Sequence, residues 1–346
     1  MKYNDDVIGT IILEDNKISN IPDTFVEEQS YYHITSEVYS KKRKIYISKK
    51  EYEGCFNKIY SFSLNNSKLI EQDLLIRILN LNTNQSSIIN ENKGIKIQYK
   101  LCSLIDNIGT VLDYGKILVK NQIQDYFIIK KYGKSLTQVL KSKPNYNNLV
   151  KPMNLIKDIL LTLNRIHKKK IAHLDLKPCN ILLKDDVPFL SKKKNTKFVL
   201  IDFGSCQKVV NDNSIFIERQ SASEGFSPPE FIDMKFGIKS DIWALGLIFY
   251  MILVRKFYFE ADIENIFYSK INRKNKITNH LKHIWKYVLP DDNMTDHQLK
   301  KYIYPFSLNT ASYLPDFFEK IFTFDEKSRS NTQELLNHKI FTLINP

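Results

Sequence analysis

Cysteine is scarce in this chain: four occur in 346 residues, at positions 55, 102, 179 and 206, and no two are spaced as CxxC. That spacing excludes the usual zinc patterns, and in a chain this size it reads as free thiols in a reducing compartment. Long apolar runs are missing as well. The longest, WALGLIFYMILV (243–254), is too short to cross a bilayer and reads as a buried core helix. No basic stretch followed by an apolar core stands at the N-terminus, so no secretory signal is expected. Internal repeats are absent. Acidic residues are outnumbered, 38 to 51, for a net charge of +13. Such a balance can favour nucleic acid or anionic membranes. The lysines are scattered and no nucleic-acid reader motif is present, so neither is the expected partner. The expected setting is soluble and intracellular, cytoplasmic or nuclear.

What is present is a globular composition, 43% hydrophobic and 26% charged, in a length suited to one large domain or two lobes. Strand patterns come first. KIYSFSL (58–64), the turn NNSK and DLLIRIL (73–79) read as a hairpin. Within the second strand Leu74, Ile76 and Ile78 alternate onto one face, and Arg77 lies on the other between Leu75 and Leu79. NTNQSSIINEN (82–92) reads as a polar link. IKIQYKLCSL (95–104) fits a helix with Ile97, Leu101 and Leu104 on one stripe. TVLDYG (110–115) and DYFIIKKY (125–132) add two strands. Helical periods take over at 149–167, where Val150, Met153, Ile156, Leu160, Leu163 and His167 recur at helical spacing, and continue at 240–254 and 313–323. Strands followed by helices indicate an α+β chain of two subdomains rather than a repeating βαβ sheet.

Three stretches carry chemistry. HLDLKPCNILL (173–183) places an Asp, a Lys two residues on and an Asn five residues on in one loop. VLIDFGSC (199–206) delivers Asp202 from an apolar strand into a Gly turn; its carboxylate is a hard oxygen donor suited to Mg²⁺. SEGFSPPE (223–230) and SDIWALG (240–246) follow. In order and spacing this ensemble resembles the eukaryotic protein kinase family, serine/threonine type, over about 44–340. The resemblance implies a two-lobed protein-kinase-like fold, with a small antiparallel-sheet N-lobe carrying one main helix and a larger, mainly helical C-lobe. It implies ATP and Mg²⁺ as cofactors and a protein substrate. Asp175 takes the place of the catalytic base, Lys177 that of its phosphate-side companion, and Asn180 and Asp202 those of the metal ligands. Glu230 is expected to pair with Arg329, Asp241 to cap backbone amides behind the catalytic loop, and His173 to stack on Phe203. Ser223 stands where the family has a Thr that bonds the catalytic Asp and Lys. Leu174 replaces the family's Arg before the catalytic Asp, so phosphorylation at Ser214 or Ser221 has no evident anchor there.

In the small lobe the resemblance thins. The phosphate-covering loop falls on YISKKEYEGCFNKIYSF (46–62), where the family's glycines are expected at 52, 54 and 57 and only Gly54 is kept. Arg77 stands at the place of the phosphate-gripping Lys, and Leu75 at that of the small residue roofing the adenine. Gly94 stands at the place of the helix Glu that pairs with that Lys; Glu91 can substitute if the helix extends back. If Arg77 is a compromised phosphate clamp, Arg77→Lys is expected to raise activity, and no change or a fall would count against this alignment. A rival alignment takes YISKK (46–50) as the Lys strand and LIEQDLLIRIL as the helix, with a Lys49–Glu71 pair. The nucleotide contacts implied are Gly54, Ile59, Leu75, Arg77, Ile129, Lys131 and Leu182, with Lys130–Tyr132 as the hinge. Cys55, Cys179 and Cys206 fall near that region and read as small packing residues. The expected organisation is an extension at 1–43, an N-lobe at 44–131 and a C-lobe at 132–341.

Overall fold

The computed structural model describes residues 31–53, 57–63, 73–79, 85–119, 122–142, 150–184, 197–209, 215–216, 226–230, 235–254 and 313–342. The chain divides into two compact units, Met1–Tyr99 with Gly109–Lys131, and Lys100–Ile108 with Tyr132–Pro346.

The first unit holds β1 (Tyr31–Ser36), β2 (Lys42–Glu53), β3 (Asn57–Ser63), β4 (Leu74–Leu79), α1 (Gln85–Cys102), β5 (Val111–Val119) and β6 (Gln122–Lys130). The strands form a closed antiparallel barrel in the order β1-β2-β3-β4-β6-β5, sealed by β1 pairing with β5. Closure removes the open edges that a flat sheet of this size would expose. Period-two alternation sorts the side chains. Ile34, Ile45, Phe62, Ile76, Ile78, Tyr126 and Ile128 build one buried cluster, while Leu79, Val111 and Phe127 face the other way, with Ile95 of α1. Three readings of the sequence change here. Residues 31–43, assigned to an extension, include β1, a strand of the barrel. The segment read as a polar link is the first half of α1. That helix buries Gly94, Ile95, Gln98 and Leu101, not an Ile97–Leu104 stripe, and Leu104 is 64% exposed. The hairpin 58–79 stands as read, and because 74–79 is a strand the rival alignment fails; Lys49 is an exposed residue of β2.

The second unit carries α2 (Leu136–Lys141), α3 (Val150–His167), β7 (Ile171–Ala172), β8 (Ile181–Leu183), β9 (Phe198–Leu200), β10 (Gln207–Lys208), β11 (Ile215–Phe216), β12 (Lys235–Phe236), α4 (Ile238–Val254), α5 (Leu314–Ile321) and α6 (Thr332–Leu336). Ser135 and Gln138 close a capping box at the start of α2, satisfying amides that the helix itself leaves without partners. Along α4, Ile242 through Ile252 are all buried, as expected of a helix apolar on every side. Phe249 packs on Phe317 and Phe318 of α5. No helix among the described residues is long and apolar enough to cross a membrane.

Closure of the barrel depends on Gly115. A Cβ there would lie 2.0 Å from the Thr35 carbonyl oxygen and 3.0 Å from the Glu37 nitrogen. Both obstacles are backbone, so β1 would have to move. Gly115→Ala is expected to lose about 2 kcal/mol or more in urea unfolding; unchanged stability would refute this account of the closure.

Candidate active site

β7 leads into the loop 173–177, and a short 3₁₀ turn, Pro178–Asn180, leads out of it into β8. The loop's amides are held from below. Asp241, in the first turn of α4, accepts the N–H of His173 on Oδ2 and that of Leu174 on Oδ1, both at 2.8 Å. Its Oδ2 also meets His167 Nε2 at 2.8 Å. Burial alone would push the Asp241 carboxyl up, but the His167 hydrogen bond and the charges and amides around it hold it below the ordinary carboxylate value. Leu174 adopts a left-handed φ of 61°, a conformation that costs a non-glycine residue about 1 kcal/mol or more; the bond to Asp241 holds it there.

His173 stitches the loop to the next segment. Its Nε2 donates to the Ile201 carbonyl at 3.1 Å and its Nδ1 accepts the Asp175 N–H at 3.3 Å. The ring lies 4.6 Å from that of Phe203. Ile201 N–H in turn donates to the Asn180 carbonyl at 3.0 Å. Asp202, the next residue, is left-handed at φ 64°, ψ 69°. Around Asp175 the contacts are dense. Lys177 Nζ sits 3.1 and 2.9 Å from its two carboxylate oxygens. Asn180 Nδ2 donates to the Asp175 carbonyl at 2.8 Å and to Oδ2 at 3.2 Å. Burial works against the charge of Lys177, but Asp175 above all, with Cys179 and Asp202 adding, raises its pKa. Desolvation pushes the Cys179 thiol up; Cys179 is exposed and Cys206 buried.

Asn180 and Asp202 fit a hard divalent cation. The Asn180 nitrogen is committed to Asp175, which turns the amide oxygen away, and Asp202 supplies a carboxylate; oxygen donors are what Mg²⁺ takes. Among the described residues no group of three His, Cys, Asp or Glu could hold a metal by itself, so the amide is needed in the set.

The first unit places its own predicted residues on one face. Across β3–β4, Ile59 is opposite Arg77, and across β4–β6, Leu75 is opposite Ile129. Tyr52, 60% exposed, is opposite Ile59 across β2–β3. Arg77 Nη2 meets Glu91 Oε2 at 2.7 Å, with both side chains largely buried. Glu91 therefore supplies the partner carboxylate from one turn ahead of Gly94. Lys131 departs from its expected use: its N–H donates to the Asp73 carbonyl at 2.7 Å and is not offered to a base. Leu182 lies in β8 opposite Val199. Gly54, Cys55, Ser214, Ser221 and Ser223 lie outside the described residues. The sequence reading missed His167 as the partner of Asp241; its place in the last turn of α3 was the available signal.

Further down the second unit, Arg329 is fully buried and pairs through both terminal nitrogens with Glu230, at 2.7 and 2.8 Å.

The Asp175–Lys177–Asn180 loop thus lies beside the turn that carries Asp202. A family model of the protein kinase domain matches residues 80–341, about three quarters of the chain. The chain belongs to the protein kinase family. The match begins beyond Arg77, so the phosphate-loop segment and its strand rest on the geometry above. Among curated proteins none matches the chain.

Asp241 ties stability to pH. A carboxylate held below its ordinary value stabilises the fold above about pH 4, and that contribution fades as pH falls through the folded-state value. Asp241→Asn is expected to lose about 3 kcal/mol at neutral pH, with the gap to the parent protein narrowing below pH ~4. Equal stability of the two proteins in neutral denaturant titrations would refute the role.

Proposed function

We propose that the protein is an active serine/threonine kinase that transfers the γ-phosphoryl group of ATP, with Mg²⁺, to protein Ser or Thr hydroxyls. The observation that carries this is the ordered Asp175–Lys177–Asn180 cluster next to Asp202. Asp175 orients the substrate hydroxyl and takes its proton as the oxygen bonds to the γ-phosphorus and the bond to the ADP oxygen breaks. Lys177 stays charged, steadies Asp175 and offsets negative charge on the phosphoryl oxygens. Asn180 and Asp202 hold the cation, which when bound neutralises phosphate charge. Catalysis of this kind is mostly positioning and electrostatics. Ile59, Leu75 and Ile129, which share one face of the first unit, contact the nucleotide in this reading, and Lys131 contributes its carbonyl. Lys177 two residues after the Asp favours Ser/Thr over Tyr as acceptor.

Arg77 grips phosphate in this reading. With Glu91 at 2.7 Å it is not a clamp without its partner, which reverses the expectation for its replacement. Lysine is shorter and lacks the planar fork. Arg77→Lys is expected to lose about tenfold in kcat/KM, near 1.4 kcal/mol of transition-state stabilisation; a rise would overturn the assignment.

Activity is proposed to be independent of activation-segment phosphorylation. Leu174 offers no charge to a phosphate, and the β11–β12 pairing ties residues 215–216 to 235–236 through backbone contacts. Ser214→Ala with Ser221→Ala is expected to keep activity within about twofold of the parent protein; a large loss would refute this.

The second reading is a kinase-fold scaffold with little or no turnover, favoured by Tyr52 and Leu75 on the nucleotide face. One experiment separates the two: the shift in melting temperature with ATP and Mg²⁺, beside γ-phosphate transfer to a basic protein. The active reading expects a shift, and transfer falling at least about a hundredfold in Asp175→Ala or Asp202→Ala. No shift and no transfer would establish the scaffold.

A further inference from the structure

Away from the catalytic loop, the second unit has a cavity of about 580 Å³ between the end of α3, the start of α4 and the segment leading into α6. Its wall carries Lys168, Lys170, Lys239 and Lys327 against a single acid, Glu326. The lysines come from three separate parts of the chain, and each has its own reason to be where it is. Lys168 and Lys170 follow the last turn of α3, where cations suit the helix dipole; Lys170 turns the chain with a left-handed φ of 57°. Lys239 is fixed by donating to the Lys327 carbonyl at 2.7 Å. Helix capping accounts for the first two. It does not account for the convergence of Lys239 and Lys327 on the same cavity.

Besides His167 and Ile238, the rest of the described wall is polar and part of it is already ordered. Asn164 donates to Gln333 at 3.1 Å and accepts from Thr332 at 3.0 Å. A frame fixed before binding reduces the ordering cost that a ligand must overcome. The volume falls within the range of ligand pockets and is far larger than one phosphate needs. Among the described residues the one ring in its wall, His167, is buried and bonded to Asp241, so it offers no exposed stacking platform of the kind that single-stranded nucleic acid uses. Lys168 and Lys327, both exposed, and the amide side chains of the wall instead match an extended peptide rich in Asp and Glu: carboxylates for these lysines, backbone groups for the amides.

We infer that this cavity is a docking site for an acidic segment of another protein, distinct from the site of phosphoryl transfer. It joins a feature of the sequence to a place in the fold, since part of the +13 net charge is concentrated where a partner can use it. Binding does not depend on turnover, so the inference stands or falls apart from the kinase reading.

The test is fluorescence anisotropy of a labelled peptide of alternating Glu and Gly, at low and at physiological salt, with the full chain. The parent protein is expected to bind it. Lys168→Glu with Lys327→Glu, both exposed positions, is expected to weaken binding roughly tenfold. Lys41→Glu with Lys100→Glu, an equal change of net charge elsewhere, is expected to alter it by no more than about twofold. Lys168→Gln with Lys327→Gln should fall between and guards against misfolding of the charge-reversed protein. Equal losses in the two Glu pairs would reduce the effect to bulk charge and overturn the site. So would absence of peptide binding at low salt, or displacement of the peptide by an oligothymidine of equal charge that the Lys168/Lys327 variants still bind.

Discussion

One buried carboxylate sets the geometry of the catalytic half. Asp241 has two oxygens and receives three groups: the backbone amides of His173 and Leu174 and the ring of His167. A charge this deeply buried is costly unless every lone pair finds a donor, and here the donors are the backbone of the loop itself. The consequences run outward in order. Leu174 is held in a left-handed turn, His173 is directed at Ile201, and Ile201 binds back to Asn180. The backbone that carries Asp175, Asn180 and Asp202 is thus placed by these contacts, and the side-chain bonds of Lys177 and Asn180 to Asp175 act within that frame. That is favourable for a site whose carboxylates would otherwise repel one another.

The Glu230–Arg329 pair fixes a second region in a similar way. Beyond its two bonds to Glu230, Arg329 donates to the carbonyls of Thr323 and Lys239, each at 3.0 Å, and its guanidinium lies 5.2 Å from the Trp243 ring. A buried ion pair is weak evidence for net stability, because well-packed apolar residues can do as well. Its value here is in what it joins. One guanidinium connects the chain before α4, the first turn of α4 and the segment before α6, elements that are almost a hundred residues apart in sequence.

The parts of the fold that were legible in the sequence are those with a strict period or a fixed spacing. Alternation exposed β3 and β4, the apolar run at 243–254 exposed α4, and motif spacing pointed to the Asp175 loop, to Glu230 with Arg329, and to Asp241. What stayed hidden has identifiable causes. The first half of α1 is so rich in Asn and Ser that no apolar stripe emerges, and its buried face uses a Gly and a Gln alongside Ile95 and Leu101. The helix is held by the barrel face and by the Arg77–Glu91 contact, neither of which a local window contains. β1 shows no clear period of its own and is a strand through its partners, β2 next to it and β5 some eighty residues away. The isolated Gly115 inside a strand pattern was the one local sign that another backbone approaches closely there.

The departures in the first unit bear on whether this site has decayed. A site losing its function is free to lose partners one at a time, leaving a buried charge without compensation. Arg77 and Glu91 are matched to each other instead. A longer cation at the lysine position meets a glutamate displaced by one helical turn, and the two close to 2.7 Å in a largely buried setting. If stability were the only requirement, an apolar pair would serve at least as well there. Arg77 lies on the face that also carries Ile59, Leu75 and Ile129, and phosphate is among the ligands that a guanidinium's planar fork suits.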